Sequence, residues 1–118
     1  MTLEEFYTSM DVDYQNILDR LMKEERILRY LRMLVEDTTM TSLEEAVMHK
    51  QYDQAFALAH TMKGVCENLE IKAILTILRP LVEDLRTKDP KTLPESYEEL
   101  KEVYHTTIDQ IKRIEIGG

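Results

Sequence analysis

Glycine is almost missing from this chain. It stands only at Gly64, Gly117 and Gly118, so there is neither the punctuation of β-hairpins nor a glycine-rich loop able to cradle a nucleotide phosphate. Apolar residues instead recur three or four apart along the whole length, with no sustained alternation of the kind a half-buried strand needs. The chain is therefore expected to be all-α, and ATP-dependent self-phosphorylation has no site. At 118 residues, 43% of them apolar, there is enough sequence for one core and too little for two. Residues 1–118 are read as one domain.

The stripes divide the chain into helices. Leu3, Phe6, Tyr7 and Met10 suggest a short first helix, and Asp11 or Asp13 can cap a second carrying Tyr14, Ile17, Leu18, Leu21 and Met22. A polar notch at Lys23 to Glu25 precedes Ile27, Leu28, Leu31, Leu34 and Val35, which leaves open one long helix or two. Thr41 or Ser42 ahead of Glu44 and Glu45 resembles the cap of a short helix ending near Gln51. A helix from about Tyr52 to Leu69 follows, then one from Ile71 to about Arg86 with Ile71, Leu75, Leu78, Val82 and Leu85 on one seam. Pro80 lies within that seam and is expected to kink the helix without ending it. Lys88 to Pro94 reads as a linker, and Glu95 to about Ile114 as the last helix, with Leu100, Val103, Tyr104, Ile108, Ile111 and Ile114 inward. Long helices with short connections predict an antiparallel four-helix bundle with additional short N-terminal helices.

Charge narrows the partners. A formal net charge of -8 repels phosphate backbones and anionic membranes, and no local basic patch offsets it, so neither nucleic acid nor a membrane is expected as a partner. Glu4 and Glu5 stand where a secretory leader needs positive charge, and no apolar run approaches the length of a membrane span. A free-standing cytoplasmic monomer is the expectation. Cys66 is the single cysteine, which excludes an intramolecular disulfide and reads as a small core residue.

The informative segment is Ala55 to Glu70, AFALAHTMKGVCENLE. Stepping about 100° per residue puts Leu58, Met62, Val65 and Leu69 in one narrow sector, the expected core face, flanked by Ala55 and Cys66. His60 falls roughly 170° from the centre of that sector, with Phe56, Lys63, Gly64 and Glu67 around it. It is expected to face solvent. Lys63 and Gly64 lie one turn away, beside the imidazole. A glycine inside a helix costs about 1 kcal/mol relative to alanine and calls for a reason. Space is the simplest, since a missing side chain lets a phosphoryl group and a docking surface approach the helix. Lys63 supplies positive charge for a phosphorylated imidazole. Phe56, if exposed, would form an apolar docking patch with Ala57 and Gly64; packing under the short helix around Val47 and Met48 is the alternative.

The run Ala59-His60-Thr61-Met62-Lys63-Gly64, followed by Asn68-Leu69, resembles the signature of histidine-containing phosphotransfer domains, in which Ala-His-x-Leu-Lys-Gly precedes Asn-Leu-Gly. The likeness extends over roughly Met10 to Arg86, from Met10-Asp11-Val12-Asp13 with Leu18 and Arg20, through Ile27 to Val35 and Leu43 to Asp53. It implies a phosphocarrier rather than an enzyme, with His60 as phosphoacceptor, Lys63 as charge partner and Gly64 as the space-making glycine; Phe56, Ala57 and Glu67, placed on the same face by the helical spacing, are expected to meet the partner. The partners implied are response-regulator receiver domains, and a hybrid histidine kinase upstream. No cofactor of its own is implied, the receiver bringing Mg²⁺. Two positions depart from the pattern. Met62 replaces leucine on the core face, a near-isosteric change. Glu70 replaces the glycine after Asn-Leu, which removes the residue best suited to a left-handed helix end.

Two rivals follow from the same residues. Glu102-Val103-Tyr104-His105 has the Glu-x-x-His spacing of carboxylate-bridged metal sites, but such sites use it twice and it occurs once. His49 with Asp53, and His105 with Asp109, are four-residue pairs that more often form exposed ion pairs. A non-catalytic helical adaptor, binding a receiver without transfer, is the remaining alternative.

Overall fold

The computed structural model describes residues 1–87 and 93–114. Among these residues there is no strand, and the helices are α1 (Leu3–Ser9), α2 (Tyr14–Leu21), α3 (Glu24–Glu36), α4 (Thr39–Met48), α5 (Tyr52–Asn68), α6 (Lys72–Thr87) and α7 (Leu93–Lys112). The protein is all-helical. None of the described helices is long and apolar enough to cross a membrane. Packing runs α5 on α4 and α6, α6 on α7, α7 on α3, α3 on α2 and α2 on α1.

Local chemistry sets the boundaries. Thr2 and Glu5 form a reciprocal capping box on α1, and the Asp13 carboxylate accepts from the Gln15 N–H at 3.0 Å to start α2. The notch at Lys23 separates two helices: Met22 takes φ 76° and Lys23 is extended, so the chain turns before α3 begins. Met22, placed inward by the stripe, is 72% exposed in consequence. Neither Thr41 nor Ser42 caps α4. The Asp37 carboxylate accepts from the Thr39 N–H at 2.9 Å and from its hydroxyl at 2.7 Å, which starts the helix at Thr39. It ends at Met48, short of Gln51.

Helix α6 continues through Pro80 as its seam requires, burying Leu75, Leu78, Val82 and Leu85, with Ile74 and Leu81 beside them. Helix α7 starts at Leu93, ahead of the expected Glu95, so only positions 88–92 of the expected linker lie outside the described residues, as do residues 115–118. Leu100, Tyr104, Ile108, Ile111 and Ile114 are buried as expected, while Val103 is half-buried.

Helix α5 is rotated relative to the expected sector. Ala55, Ala59, Met62, Cys66 and Leu69 are buried, whereas Leu58 and Val65 are only half-buried, which moves the centre of the inner face by roughly 50°. Alanines carry little apolar weight in a sequence stripe, yet their size lets neighbouring helices approach closely. Val65 borders a groove facing α3 instead.

The turn from α5 into α6 positions everything downstream. Glu70 adopts φ 52°, the left-handed conformation that favours glycine, and the Ile71 N–H reaches back to the Cys66 carbonyl at 2.9 Å. The glutamate therefore closes the sharp turn that its lack of glycine was expected to relax. Two distant side chains hold it there. The buried Tyr7 hydroxyl donates to the Leu69 carbonyl at 2.8 Å, and Arg20 donates to the Asn68 carbonyl and side chain and pairs with Glu70 at 3.2 Å. Burial, reinforced by the Glu70 carboxylate, raises the pKa of the Tyr7 hydroxyl.

Tyr7→Phe leaves a buried carbonyl without its donor and is expected to cost about 1–3 kcal/mol, read as a lower urea midpoint at an unchanged m-value. Alkali is expected to act similarly. Burial pushes Tyr97 and Tyr104 up to about 12 from 10.0, and Cys66 up to about 12 from 9.0. The unfolded chain releases these protons first, so their stabilising contribution is intact below about pH 9 and is lost as pH rises towards 12. Denaturation midpoints measured across that window should fall steadily, and a flat profile would contradict the assignment.

Candidate functional site

His60 lies on the third turn of α5 and is exposed. It stands roughly 140° from the centre of the buried face, so the rotation of the helix leaves it outward. Ala57, Gly64 and Glu67 are exposed around it, and Lys63 and Phe56 are half-buried. Thr61 returns its hydroxyl to the Ala57 carbonyl at 3.0 Å, so its polar atom turns back along the helix.

Phe56 belongs to this face. Its ring centroid is 5.9 Å from that of His60 at an interplanar angle of 40°, and its inner edge packs on the core. Over the same ring, at 6.0 Å from its centroid, sits the Arg86 guanidinium from α6. Sequence reading missed this cation because only the antiparallel pairing of α5 with α6 brings it to Phe56, and no local pattern encodes that meeting.

Lys63 is one turn beyond His60, with its ammonium 3.8 Å from the Glu67 carboxylate. Arg86 is likewise beside a carboxylate of its own helix, Glu83, at 3.5 Å. Along α5, then, Lys63 lies one turn to the C-terminal side of His60 and Phe56 one turn to the N-terminal side, with Arg86 set against the ring of Phe56.

A Cβ built at Gly64 meets nothing within 4 Å. The glycine forms part of the wall of a groove of about 550 Å³ between α3 and α5, which Tyr30, Met33 and Leu34 line from the α3 side and Thr61 and Val65 from the α5 side. Met33 at its rim is 60% exposed, an unusual position for a large apolar side chain. An apolar groove thus opens one turn from the imidazole. Among the described residues no three His, Cys, Asp or Glu side chains come together to hold a metal ion.

No protein-family model, no curated protein and no solved structure matches the chain. What the site can do is therefore argued from its own atoms. An accessible imidazole on a helix, with an ammonium-bearing side chain and open space one turn away, can take up a compact anionic group at nitrogen and present it to a docked surface. Since the space at Gly64 is open, Gly64→Ala should stabilise the fold by about 0.5–1 kcal/mol, measured as a raised urea midpoint; destabilisation would mean that the position is packed.

Proposed function

We propose that the chain is a histidine phosphotransfer protein that relays a phosphoryl group between the aspartates of receiver domains through His60, on an antiparallel four-helix bundle formed by α3, α5, α6 and α7. The observation that carries this reading is the exposed imidazole of His60 with Lys63, Arg86 and the empty wall at Gly64 around it. The likeness of Ala59 to Gly64 to the phosphotransfer signature supports the same residues in the same roles. The bundle is supported by the packing order of the helices and by overall extents of 45 × 22 × 19 Å, a cross-section of about two helix diameters each way.

The chemistry needs little from the chain. In the receiver the acyl-phosphate O–P bond breaks and its electron pair returns to the aspartate carboxylate, while the unprotonated imidazole nitrogen of His60 forms the new N–P bond. Handing the group to a second receiver reverses both changes. Such transfer is governed by positioning and charge stabilisation. The receiver contributes Mg²⁺ and its own lysine; this chain contributes the nucleophile, the Lys63 charge and a surface on which Phe56, Ala57 and Glu67 meet the partner. The apolar groove with Met33 at its rim favours a second reading, an adaptor that docks a receiver without transfer.

Incubation with Mg²⁺-loaded, phosphorylated receivers separates the two. Acid-labile, base-stable phosphate is expected on the wild type and absent from His60→Gln; an adaptor binds the receivers and never becomes labelled. Lys63→Ala should slow transfer about tenfold, equivalent to ~1.4 kcal/mol of barrier, with its unfolding midpoint unchanged. Gly64→Leu should fold and fail to transfer, because its side chain fills the approach to His60; a normal rate in that variant would remove the docking role of the glycine.

A further inference from the structure

We propose that Glu67 and Glu83 are competing counter-ions that hold Lys63, one turn from His60, and Arg86, set against the Phe56 ring that neighbours His60, so that an incoming phosphoryl group must draw Lys63 and Arg86 away from carboxylates of their own helices. The proposal rests on the phosphotransfer reading and adds to it the residues that set how strongly the site favours the phosphorylated form.

Each cation lies beside a carboxylate of its own helix. The Lys63 ammonium lies 3.8 Å from Glu67, one turn further from His60, and the Arg86 guanidinium lies 3.5 Å from Glu83. Both pairs are reachable by solvent, with side-chain exposures of 29% and 46% in the first and 58% and 61% in the second. Exposed pairs of this kind are weak and exchange readily. A group carrying about two negative charges competes effectively with a single carboxylate for either cation. Each glutamate thus lowers the gain that its cation offers to phosphate without preventing the exchange. Glu67 stands seven residues from His60, about 10 Å along the axis, close to a Debye length, so its effect runs mainly through Lys63 and not through direct repulsion.

Phosphoramidate provides a test that needs no knowledge of the natural partner. The unprotonated imidazole nitrogen forms a bond to phosphorus while the P–N bond of the reagent, which carries a proton on its nitrogen as P–NH3⁺, breaks and its electron pair leaves with ammonia, so atoms and charge balance with no further reactant. The rate of phosphorylation at His60 is mapped by peptide, with His49 and His105 of the same chain as internal references. Glu67→Gln and Glu83→Gln should each raise the His60 rate about two- to fivefold, the range expected for releasing one exposed ion pair, and leave the two reference histidines unchanged.

The decisive comparison is a double-mutant cycle. In a Lys63→Gln background, Glu67→Gln should have no effect, and in an Arg86→Gln background Glu83→Gln should have none. Single variants that react at the wild-type rate overturn the proposal, and so does an acceleration that persists after the cation is removed, since that signature belongs to a diffuse field. A wild-type His60 no more reactive than His49 and His105 removes the phosphotransfer reading itself, an outcome distinct from failure of the cycle.

Discussion

The carbonyl of Leu69 receives the Tyr7 hydroxyl, and that of Asn68 receives Arg20; the geometry of the molecule depends on this small set of bonds at the end of α5. A helix leaves its last carbonyls without intrahelical partners, and here two side chains from the first twenty residues supply them. The same Arg20 neutralises Glu70 in its left-handed conformation. With the turn closed, α6 is brought back along α5, and only then can Arg86 reach Phe56 beside the candidate nucleophile. Sequence-local helices and a single tertiary clamp together build a site whose parts lie on two helices.

Much of the fold could be read from spacing alone. The seam Ile71, Leu75, Leu78, Val82 and Leu85 is buried residue for residue, because large side chains at a helical period leave little choice of inner face. The outward position of His60 is legible for the same reason, since it stands on the side of its helix opposite Leu58, Met62, Val65 and Leu69. What escaped the sequence was set by small or distant groups. Ala55 and Ala59 determine the rotation of α5 although each contributes little apolar surface. Asp37 outcompetes Thr41 and Ser42 for the start of α4 because its carboxylate can reach both the N–H and the hydroxyl of Thr39. Glu70 was expected to loosen its turn, and the reason it does not is a guanidinium fifty positions earlier in the chain.

The role proposed for the candidate site makes modest demands in physical terms. None of its ionic contacts is buried, and none approaches the strength of a bidentate pair in a dry interior. Weakness is suited to the proposed task. A carrier must accept a charged group and surrender it again, and strong fixed counter-charges would deepen one state at the expense of the next step. Cations tied loosely to neighbouring carboxylates leave the bound and free forms closer in free energy.

The groove between α3 and α5 draws its lining from two helices. On the α5 side its wall is the backbone at Gly64 with Thr61 and Val65; on the α3 side stand Tyr30 and Met33, on a different helix from His60. Changes on α3 can therefore alter the shape and polarity of the groove while His60 and Lys63 on α5 stay as they are. In evolutionary terms such a layout is modular: a duplicated copy of this chain could reshape the groove by drift along one helix face without disturbing the helix that carries His60.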